Sequence, residues 1–420
     1  MVKKIVIIGG GFAGINLVNN LKKRGYHITL VDRNNYLFFP PLLYQVATGF
    51  LEPSSISYPY RKMLQHKSFI HFKMGEVRRI IPHENRIILS AGELSYDYLV
   101  LATGTKTNYF GLENVKSKSI PMKNIDDALE MRNYILEQLE KATTLYSDQK
   151  ELRKALTIVV AGGGPTGVEI SGMLAEMKTS VFKKDYPELN QIGVKGNIYL
   201  IDGASTLLSP MSKQSQQSTY ESLKKLGVNI ILNTIVSDYH DDKVFLSNGE
   251  IIESKNLIWA AGVISQTFEG LSMECYGKGK RLITNAYHQV LGYNNIFALG
   301  DTCILMNDPK YPQGHPQVAQ VALQQGKNLA HNFRLLLKKK PLKPFLYHDK
   351  GSMAIIGRNK AVADLPSGIS FKGFIAWFIW VFIHLISLVR YRNRVTTLSN
   401  WIVAYFTKDQ ALRMIIRPKR

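Results

Sequence analysis

The stretch VVAGGGPTGVEISGMLAEM, residues 159–177, decides the fold, because it repeats a pattern with which the chain begins, IVIIGGGFAGINLVNNL at residues 5–21. Each stretch runs from a short apolar segment, through glycines in the spacing G-x-G-x-x-G, into a helical pattern. An apolar segment of this kind indicates a strand buried on both faces of a parallel sheet. Two such units in 420 residues predict an α/β protein with two Rossmann-like dinucleotide-binding domains.

The first unit has its glycines at Gly9, Gly11 and Gly14, and its second strand, HITLVD, ends in Asp32. In this spacing the first glycine permits a tight turn, the second lets the backbone approach a pyrophosphate, and the third lets the helix pack close to the strand. The helix N-terminus offers unpaired N–H groups to phosphates, and a carboxylate at the strand end accepts a hydrogen bond from a ribose hydroxyl. We therefore predict a dinucleotide site at these four residues, with the adjacent Arg33.

The second unit repeats this arrangement with Gly162, Gly164 and Gly167, and its strand NIYLID ends at Asp202. The carboxylate follows the third glycine by 35 residues, whereas about 20 is usual. We assign the excess to an extended helix and loop over residues 175–196. A carboxylate at this position repels a 2′-phosphate, so the site is expected to bind NADH in preference to NADPH.

Three further strand-like stretches end in residues suited to cofactor contacts. YLVLATGT ends near Thr103 and Gly104, and NIFALGDT ends near Gly300 and Asp301. Both stretches fit the first site as a flavin holder, with the carboxylate of the second on a ribityl hydroxyl. LIWAAGV contains Gly262, where the backbone would meet a nicotinamide. Each stretch taken alone is also compatible with an ordinary strand-to-loop glycine, but two dinucleotide sites in one chain suggest an electron relay.

Four stretches make a family resemblance specific: DRNNYLFFPPLLYQVATG (32–49), AGGGPTGVEISGMLAE (161–176), LGDT (299–302) and AQVALQQGKNLA (319–330). In this order they resemble the flavoproteins with two dinucleotide-binding domains, and among these the type II NADH:quinone oxidoreductases, which are single-subunit, non-proton-pumping respiratory dehydrogenases. The resemblance covers nearly the whole chain. It implies FAD in the first site, NADH in an inserted second domain, and a quinone as electron acceptor. One departure is LFFP at 37–40, where relatives more often carry a polar stretch with His and Gln.

Five residues outside the glycine turns are expected to serve the reaction. QVAQVALQQGKNLAHNF has helical spacing, so Gln320 and Gln324 share one face and are expected to point at a quinone carbonyl, while the small Ala319 lets the helix approach the flavin. A solvated Gln-rich face is the alternative. The resemblance further implies that Glu169 lies near flavin and nicotinamide and takes part in proton or charge transfer to the quinone, although a carboxylate there also compensates the helix dipole. It places Lys350 beside the flavin, where a cation stabilises negative charge; an exposed loop lysine is the alternative.

The cysteine content excludes several chemistries. Only Cys275 and Cys303 are present, 28 positions apart, so we expect no disulfide framework and no metal cluster. Flavoproteins that reduce disulfides need a Cys pair a few residues apart. We therefore expect no thiol relay, no membership of the sulfide:quinone branch, and electrons that leave the flavin directly to a diffusible acceptor.

The C-terminal tail is expected to bind a membrane surface. The formal net charge of +21 favours anionic partners, and residues 371–420 hold nine basic residues and one acidic residue. The apolar run Phe374–Val389 is shorter than the roughly 20 residues of a spanning helix, and it is rich in Trp and Phe. Aromatic insertion beside bases predicts helices lying in the headgroup layer of an anionic membrane, and no nucleic-acid partner. A core helix, a tilted span and a dimer interface are alternatives.

These observations predict four regions: the first part of an FAD domain (1–122), an inserted NADH domain (123–286), the second part of the FAD domain with the quinone-site helix (287–340), and a membrane-association region (341–420). The N-terminus runs directly into a strand, which leaves no room for a cleaved signal peptide. Our hypothesis is a monotopic enzyme on the cytoplasmic face of the cell membrane that reduces menaquinone or ubiquinone, with a homodimer left open. The alternative is a soluble NADH-dependent reductase or NADH oxidase, which would lack the aromatic tail.

Overall fold

The computed structural model of the chain describes residues 2–23, 25–180, 182–191, 196–306, 308–407 and 412–416. The strands are β1 Lys3–Ile8, β2 Tyr26–Asp32, β3 Tyr36–Phe38, β4 Ser57–Pro59, β5 Ile70–Met74, β6 Val77–Ile81, β7 Arg86–Leu89, β8 Gly92–Ser95, β9 Tyr98–Leu101, β10 Thr105–Thr107, β11 Ile120–Pro121, β12 Ile158–Ala161, β13 Ile198–Ile201, β14 Val228–Ile231, β15 Val236–His240, β16 Lys243–Leu246, β17 Ile251–Glu253, β18 Asn256–Trp259, β19 Val263–Ser265, β20 Leu282–Thr284, β21 Ile296–Ala298, β22 Cys303–Leu305, β23 Ser352–Gly357, β24 Lys360–Asp364 and β25 Ser370–Lys372.

The α-helices are α1 Phe12–Asn20, α2 Leu43–Ala47, α3 Pro53–Ile56, α4 Tyr60–Leu64, α5 Glu113–Lys118, α6 Ile125–Ala142, α7 Gln149–Leu156, α8 Pro165–Ser180, α9 Phe182–Asp185, α10 Pro187–Gln191, α11 Lys213–Lys225, α12 Ala319–Leu337, α13 Gly373–Ser387 and α14 Tyr391–Thr407. Short 3₁₀ helices cover Pro40–Leu42, Pro82–Glu84, Met273–Cys275, Lys278–Lys280 and Gly300–Thr302.

The chain divides into two compact units, each assembled from segments distant in sequence. The first unit combines residues 1–38, 58–106 and 263–349, and the second combines 39–57, 107–262 and 350–420. The second unit therefore interrupts the first twice and continues into the tail. The longest interruption holds the second glycine turn, which confirms the predicted insertion of one nucleotide fold into the other.

The unit boundaries lie elsewhere than the predicted limits at residues 122 and 286. The strand β11 already pairs with β18 in the sheet of the second unit. Conversely, β20 pairs with β22 in the first unit, so the chain has returned there before residue 286. Pairing between distant strands sets these limits. Which cofactor each region binds stays a prediction.

The first unit is built on a parallel sheet of order β21-β9-β1-β2-β5. Residues Ile5–Ile8 are buried, as expected for a central strand covered on both faces. The helices α1 and α12 lie backbone to backbone, since a Cβ added at Gly326 would be 2.6 Å from the carbonyl oxygen of Ala13. This contact fixes the first glycine-turn helix against the predicted quinone-site helix.

The second unit repeats the design with a parallel sheet of order β11-β18-β12-β13-β14. Its glycine-turn helix α8 packs on the antiparallel hairpin β23–β24. A Cβ added at Gly172 would be 1.7 Å from the carbonyl oxygen of Ile356, so the helix and the hairpin touch through their backbones. The predicted long excursion before Asp202 is confirmed as α8, α9 and α10, with residues 181 and 192–195 outside the described residues.

The tail forms two helices, α13 and α14, and the predicted apolar run lies almost entirely in α13. Asn393 of α14 anchors the tail within the second unit, because its amide N–H groups donate to the backbone carbonyls of Ser54, Ser55 and Ser57 at 3.2, 2.9 and 3.0 Å. In the part of the chain that the structure describes, we find no helix with the length and hydropathy required to cross a membrane.

Candidate functional site

The first glycine turn has the form that a dinucleotide requires. Gly9 has a φ of +97°, and a Cβ there would be 2.3 Å from the carbonyl oxygen of Ala102. A Cβ at Gly14 would be 1.9 Å from the carbonyl oxygen of Gly9, so these two glycines are fixed by the packing of the turn itself. A Cβ at Gly11 would meet no atom within 4 Å. The middle glycine thus opens the turn outward at the N-terminus of α1, where a phosphate is best stabilised.

Asp32 stands at the end of β2 beside this turn. Its carboxylate accepts hydrogen bonds from the backbone N–H of Gly10 at 2.7 Å and of Asn34 at 2.8 Å. Burial raises the pKa of Asp32 above its ordinary value, while the two backbone donors and the charge of the exposed Arg33 oppose that shift. The carboxylate is therefore held at the turn in a fixed orientation, as a ribose contact requires.

The second glycine turn repeats this geometry. Gly162 has a φ of +110°, and a Cβ at Gly167 would be 1.8 Å from its carbonyl oxygen. A Cβ at Gly164 would meet nothing within 4 Å. Asp202 accepts a short hydrogen bond from the backbone N–H of Gly163, and another from the N–H of Ala204 at 2.7 Å. The two turns therefore share both their steric requirements and their carboxylate hydrogen bonds, and both fit a dinucleotide.

Two of the predicted flavin contacts, Gly104 and Gly300, each donate a backbone hydrogen bond to a side chain of the first unit. β9 and β21 are neighbouring parallel strands, so the turns that follow them lie side by side. The backbone N–H of Gly104, next to Thr103, donates to the hydroxyl of Thr302 at 2.8 Å. The N–H of Gly300 donates to the buried side chain of Gln325 at 2.6 Å. Thr302 and Gln325 were not among the predicted site residues, although they lie in the stretches LGDT and AQVALQQ.

Asp301 and Gly262, the remaining two predicted strand-end residues, are also fixed by hydrogen bonds within their own units. The backbone carbonyl of Asp301 accepts the hydroxyl of Ser265 at 2.8 Å in the first unit. In the second unit, the carbonyl of Gly262 accepts the N–H of Asn108 at 3.1 Å. A Cβ at Gly262 would be 2.9 Å from the ring of Phe110, so a larger side chain would collide there unless that ring moved.

The helix α12 begins at Ala319 and presents Gln320 and Gln324 on one face, as predicted. The amide of Gln324 is bonded at both ends to the backbone of His348, donating to its carbonyl at 2.8 Å and accepting its N–H at 3.0 Å. Gln320 donates to the carboxylate of Asp349 at 3.4 Å. Both glutamines therefore contact the segment at residues 348–349, and a quinone role for them stays a prediction.

Glu169 and Lys350 differ in their surroundings. Glu169 is the fifth residue of α8, and burial raises its pKa well above the ordinary value, against the opposing backbone N–H of Ile355. The charge of Glu169 in turn adds to the burial that raises the pKa of Tyr44, so these two groups lie near each other. Lys350 is exposed just before β23. Glu169 therefore lies within the second unit close to Tyr44, whereas Lys350 lies at the surface.

A cavity of about 250 Å³ opens in the second unit between α8, the hairpin and the tail helices. Its walls are mainly apolar and include Trp377, Trp380, Trp401 and Met173, with Gln45, Glu176 and Arg358 as polar members. The indole N–H of Trp401 donates to the side-chain oxygen of Gln45 at 2.7 Å. The indole N–H of the fully buried Trp380 has no hydrogen-bond acceptor among the described residues. Apolar, aromatic walls of this kind suit a flat apolar ligand.

The two cysteines have no redox arrangement. Cys275 and Cys303 are both buried and free. Burial raises the pKa of each thiol to about 11, so neither is a thiolate at neutral pH.

An apolar face lies open on the tail. Along α13 the side chains of Phe374, Phe378, Phe382 and Ile386 recur every fourth residue and are between 48% and 60% exposed. Val395, Ile402, Val403 and Phe406 extend the exposed apolar surface along α14. We call these side chains the tail face. Contiguous exposed apolar surface of this kind marks an interaction site with a protein or a membrane.

Two dinucleotide turns in one chain, with buried thiols and an aromatic cavity, define a two-nucleotide oxidoreductase fold without a disulfide centre. Comparison with known families agrees: residues 3–326 match the pyridine nucleotide-disulphide oxidoreductase family, and residues 349–408 match the NDH2 C-terminal domain. The chain is 34% identical over 419 residues to the type II NADH:quinone oxidoreductase Ndh of Mycobacterium tuberculosis, which covers 96% of this chain and 88% of the relative. The protein therefore belongs to the type II NADH:quinone oxidoreductases within the pyridine nucleotide-disulphide oxidoreductase family.

Solved structures show the same fold at greater sequence distance. NDH2 from Plasmodium falciparum in complex with NADH superposes with a TM-score of 0.90 at 24% identity, covering 99% of this chain and 100% of that one. The sulfide:quinone oxidoreductase of Aquifex aeolicus has a TM-score of 0.73 at 22% identity, with 97% and 96% covered. At these identities the likeness concerns the fold alone.

Proposed function

We propose that this protein oxidises NADH and passes the electrons through FAD to a quinone, with the first glycine turn holding FAD and the second holding NADH. The observation that carries the proposal is the repetition of one turn geometry in both units, within a chain of the type II NADH:quinone oxidoreductase family. When bound, FAD supplies a ring that accepts a hydride and releases electrons singly or in pairs. The reaction takes up NADH, a quinone and one proton, and releases NAD⁺ and quinol.

The chain's own residues bind and orient these groups. Gly9, Gly11 and Gly14 bring backbone N–H groups at the start of α1 to the FAD pyrophosphate, and Asp32 accepts a ribose hydroxyl. The turns at Thr103, Gly104, Gly300 and Asp301, with Thr302 and Gln325 behind them, complete the flavin site. Ala319 leaves room for the flavin beside α12, and Gln320, Gln324 and Lys350 stay candidates for contacts to flavin or quinone. These roles follow the family resemblance together with the hydrogen bonds described above.

For NADH, we assign Gly162, Gly164 and Gly167 to the pyrophosphate, Gly262 to the nicotinamide and Asp202 to the adenosine ribose. The carboxylate of Asp202 is fixed by two backbone N–H donors, so it cannot turn away from an added 2′-phosphate. Two negative charges at contact distance repel by roughly 1–4 kcal/mol near a protein surface. The protein is therefore expected to use NADH in preference to NADPH.

The first test is steady-state oxidation of each nucleotide by FAD-loaded protein, with and without a water-soluble quinone. We expect NADH consumption that depends on the quinone, and little from NADPH. In Asp202→Asn the ratio of kcat/KM for NADPH to that for NADH should rise about tenfold, because removal of about 1.4 kcal/mol of repulsion corresponds to that factor. Asp241→Asn, an exposed change in the same unit, is the control and should leave the ratio unaltered. Flavin that NADH reduces but quinone does not reoxidise would contradict the quinone assignment and point to the soluble reductase or oxidase alternative.

We place the quinone in the aromatic cavity of the second unit. A quinone ring is flat and largely apolar, which suits a cavity with Trp377, Trp380 and Trp401 in its wall. The predicted wall PPLLYQVATG contributes Gln45, which fixes Trp401 through its side-chain oxygen. Glu169 lies on α8, which also lines the cavity through Met173 and Glu176, and we propose for it a role in charge transfer to the quinone.

Filling the cavity should separate the two half-reactions. Ala404 lines the cavity, so in Ala404→Trp we expect kcat/KM for quinone to fall at least about tenfold, since more than ~1.4 kcal/mol of binding is lost when a ring must be displaced. Flavin reduction by NADH without quinone, followed by stopped flow, should stay within about twofold of wild type. Ile251→Trp is the control, because Ile251 is 53% exposed in the same unit and belongs to neither the cavity lining nor the tail face. Equal values of kcat/KM for quinone in both variants would contradict the placement of the quinone in this cavity.

We propose further that the tail face rests on an anionic membrane, on the cytoplasmic side of the cell membrane, so that lipid-dissolved quinone reaches the cavity from the bilayer. Exposed aromatic side chains on two helices, with Arg390, Arg392 and Arg394 between or near them, support this orientation. The alternative is that the tail face forms the interface of a homodimer.

A further inference from the structure

Glu176 is a second carboxylate on α8 that the proposed function leaves without a role. It follows Glu169 by seven residues, two helical turns, which places both on one side of the helix and about 10 Å apart along its axis. Glu176 lines the cavity. A charged residue that is largely removed from water and borders an apolar ligand cavity calls for a functional reason.

The carboxylate of Glu176 is held firmly against the hairpin. Its Oε1 accepts the backbone N–H of Arg358 at 2.6 Å. A Cβ at Gly357 would be 2.5 Å from the same oxygen, so the carboxylate packs on the backbone at that position. The backbone thus fixes one oxygen, while the residue remains part of the cavity wall.

The charged and titratable groups around Glu176 are Arg358, Lys360 and Tyr44. Burial raises the pKa of Glu176, and the N–H of Arg358 together with the charges of Lys360 and Arg358 opposes the shift. The guanidinium of Arg358 is engaged elsewhere, since it stacks over the ring of Tyr405 at 4.3 Å and donates to the carbonyl of that residue. The charges of Glu169 and Glu176 both add to the raised pKa of Tyr44, so Tyr44 lies near both carboxylates.

The reaction requires a proton at this place. A hydride carries two electrons and one proton, whereas reduction of a quinone to a quinol consumes two electrons and two protons. One proton per turnover must therefore come from water and reach the ligand in the apolar cavity. Thr179 and Ser180, one turn beyond Glu176 on α8, also line the cavity, and their hydroxyls donate to the backbone carbonyl of Glu176 at 3.0 and 2.7 Å.

We propose that Glu176 is the group that delivers this solvent-derived proton to the quinone oxygen in the cavity. The proposal rests on the proposed function, because it needs a quinone there. In each turnover the O–H bond of the Glu176 carboxylic acid breaks as the quinone oxygen accepts its proton. The Glu176 carboxylate then regains a proton from water that enters the cavity. Glu169, two turns before Glu176 on α8, is not among the residues that line the cavity.

The test uses the FAD-loaded full chain carrying Glu176→Gln, which keeps the shape and has no acidic proton. We expect kcat with quinone to fall at least tenfold, while flavin reduction by NADH stays within twofold. An acid donor is protonated below its pKa and loses its proton above it, so wild-type kcat should fall as pH rises through the pKa of Glu176. That alkaline limb should vanish in Glu176→Gln and return, with part of the rate, in Glu176→Asp. Glu250→Gln, an exposed change in the same unit, is the control.

The outcomes are separable. Unchanged turnover in Glu176→Gln, or a uniform loss that keeps the alkaline limb, overturns the proton role, and the quinone site then stands or falls with Ala404→Trp. If wild-type protein shows no quinone-dependent turnover at all, the proposed function and this inference both fail. If Glu176→Gln binds no FAD, Glu176→Asp alone decides: a shifted alkaline limb supports the role, and an unshifted limb at full rate overturns it.

Discussion

Gly11→Ala is expected to yield a folded protein that has lost most of its FAD, whereas Gly14→Ala is expected to yield no stable first unit. A methyl group at Gly14 would lie 1.9 Å from the carbonyl oxygen of Gly9, and a backbone atom cannot move aside without breaking the turn. Such a collision costs several kcal/mol out of a total stability of about 5–15 kcal/mol. At Gly11 the same methyl meets no protein atom within 4 Å. It collides only with what binds at the open side of the turn.

The measurement is the amount of flavin per protein together with the thermal unfolding temperature. For Gly11→Ala we expect FAD affinity to drop by at least about a hundredfold, since a pyrophosphate held by several backbone N–H groups loses its close approach. The unfolding temperature without FAD should match that of wild type. Gly164→Ala is the matched control in the second turn: it should keep FAD and raise KM for NADH. Full flavin content in Gly11→Ala would show that the first turn does not hold the cofactor.

The double substitution Phe378→Asp with Phe382→Asp is expected to release the protein from membranes. Both side chains are more than half exposed on the tail face, at 60% and 56%. Insertion of each Phe is worth about 1.5–3 kcal/mol, and an aspartate at the same depth is unfavourable, so partitioning should fall at least about a hundredfold. Sedimentation with vesicles containing an anionic phospholipid measures the bound fraction. NADH oxidation with a water-soluble quinone should continue.

Point substitution tests the tail better than deletion of residues 371–420. Asn393 and Trp401 bond to earlier segments of the second unit, so deletion would also leave a buried carbonyl and the side-chain oxygen of Gln45 without these donors. Tyr146→Asp is the control, because Tyr146 is 66% exposed and lies outside the tail. Should the double variant bind vesicles as wild type does but change from dimer to monomer, the tail face is an interface between two copies.

The cofactor turns were predictable from sequence because their requirements are local. A glycine with a φ near +100°, a second glycine packed against its carbonyl, and a carboxylate at the next strand end all follow from neighbours along the chain, and all recur at Gly162, Gly167 and Asp202. The family resemblance extended that reading to NADH and quinone. The helical face of Gln320 and Gln324 was likewise correct as geometry.

The sequence by itself therefore determined two Rossmann-like units, their glycine turns and an aromatic tail. Only the tertiary structure decided which residues from distant segments of the chain contact each other. It bonded Gly104 to Thr302 across neighbouring strands and brought residues 348–349 to the glutamines of α12. It also gathered Gln45, Glu176 and Trp380 around one cavity. The reason is physical: local spacing fixes backbone conformation, whereas a cavity depends on packing between segments that no periodicity connects.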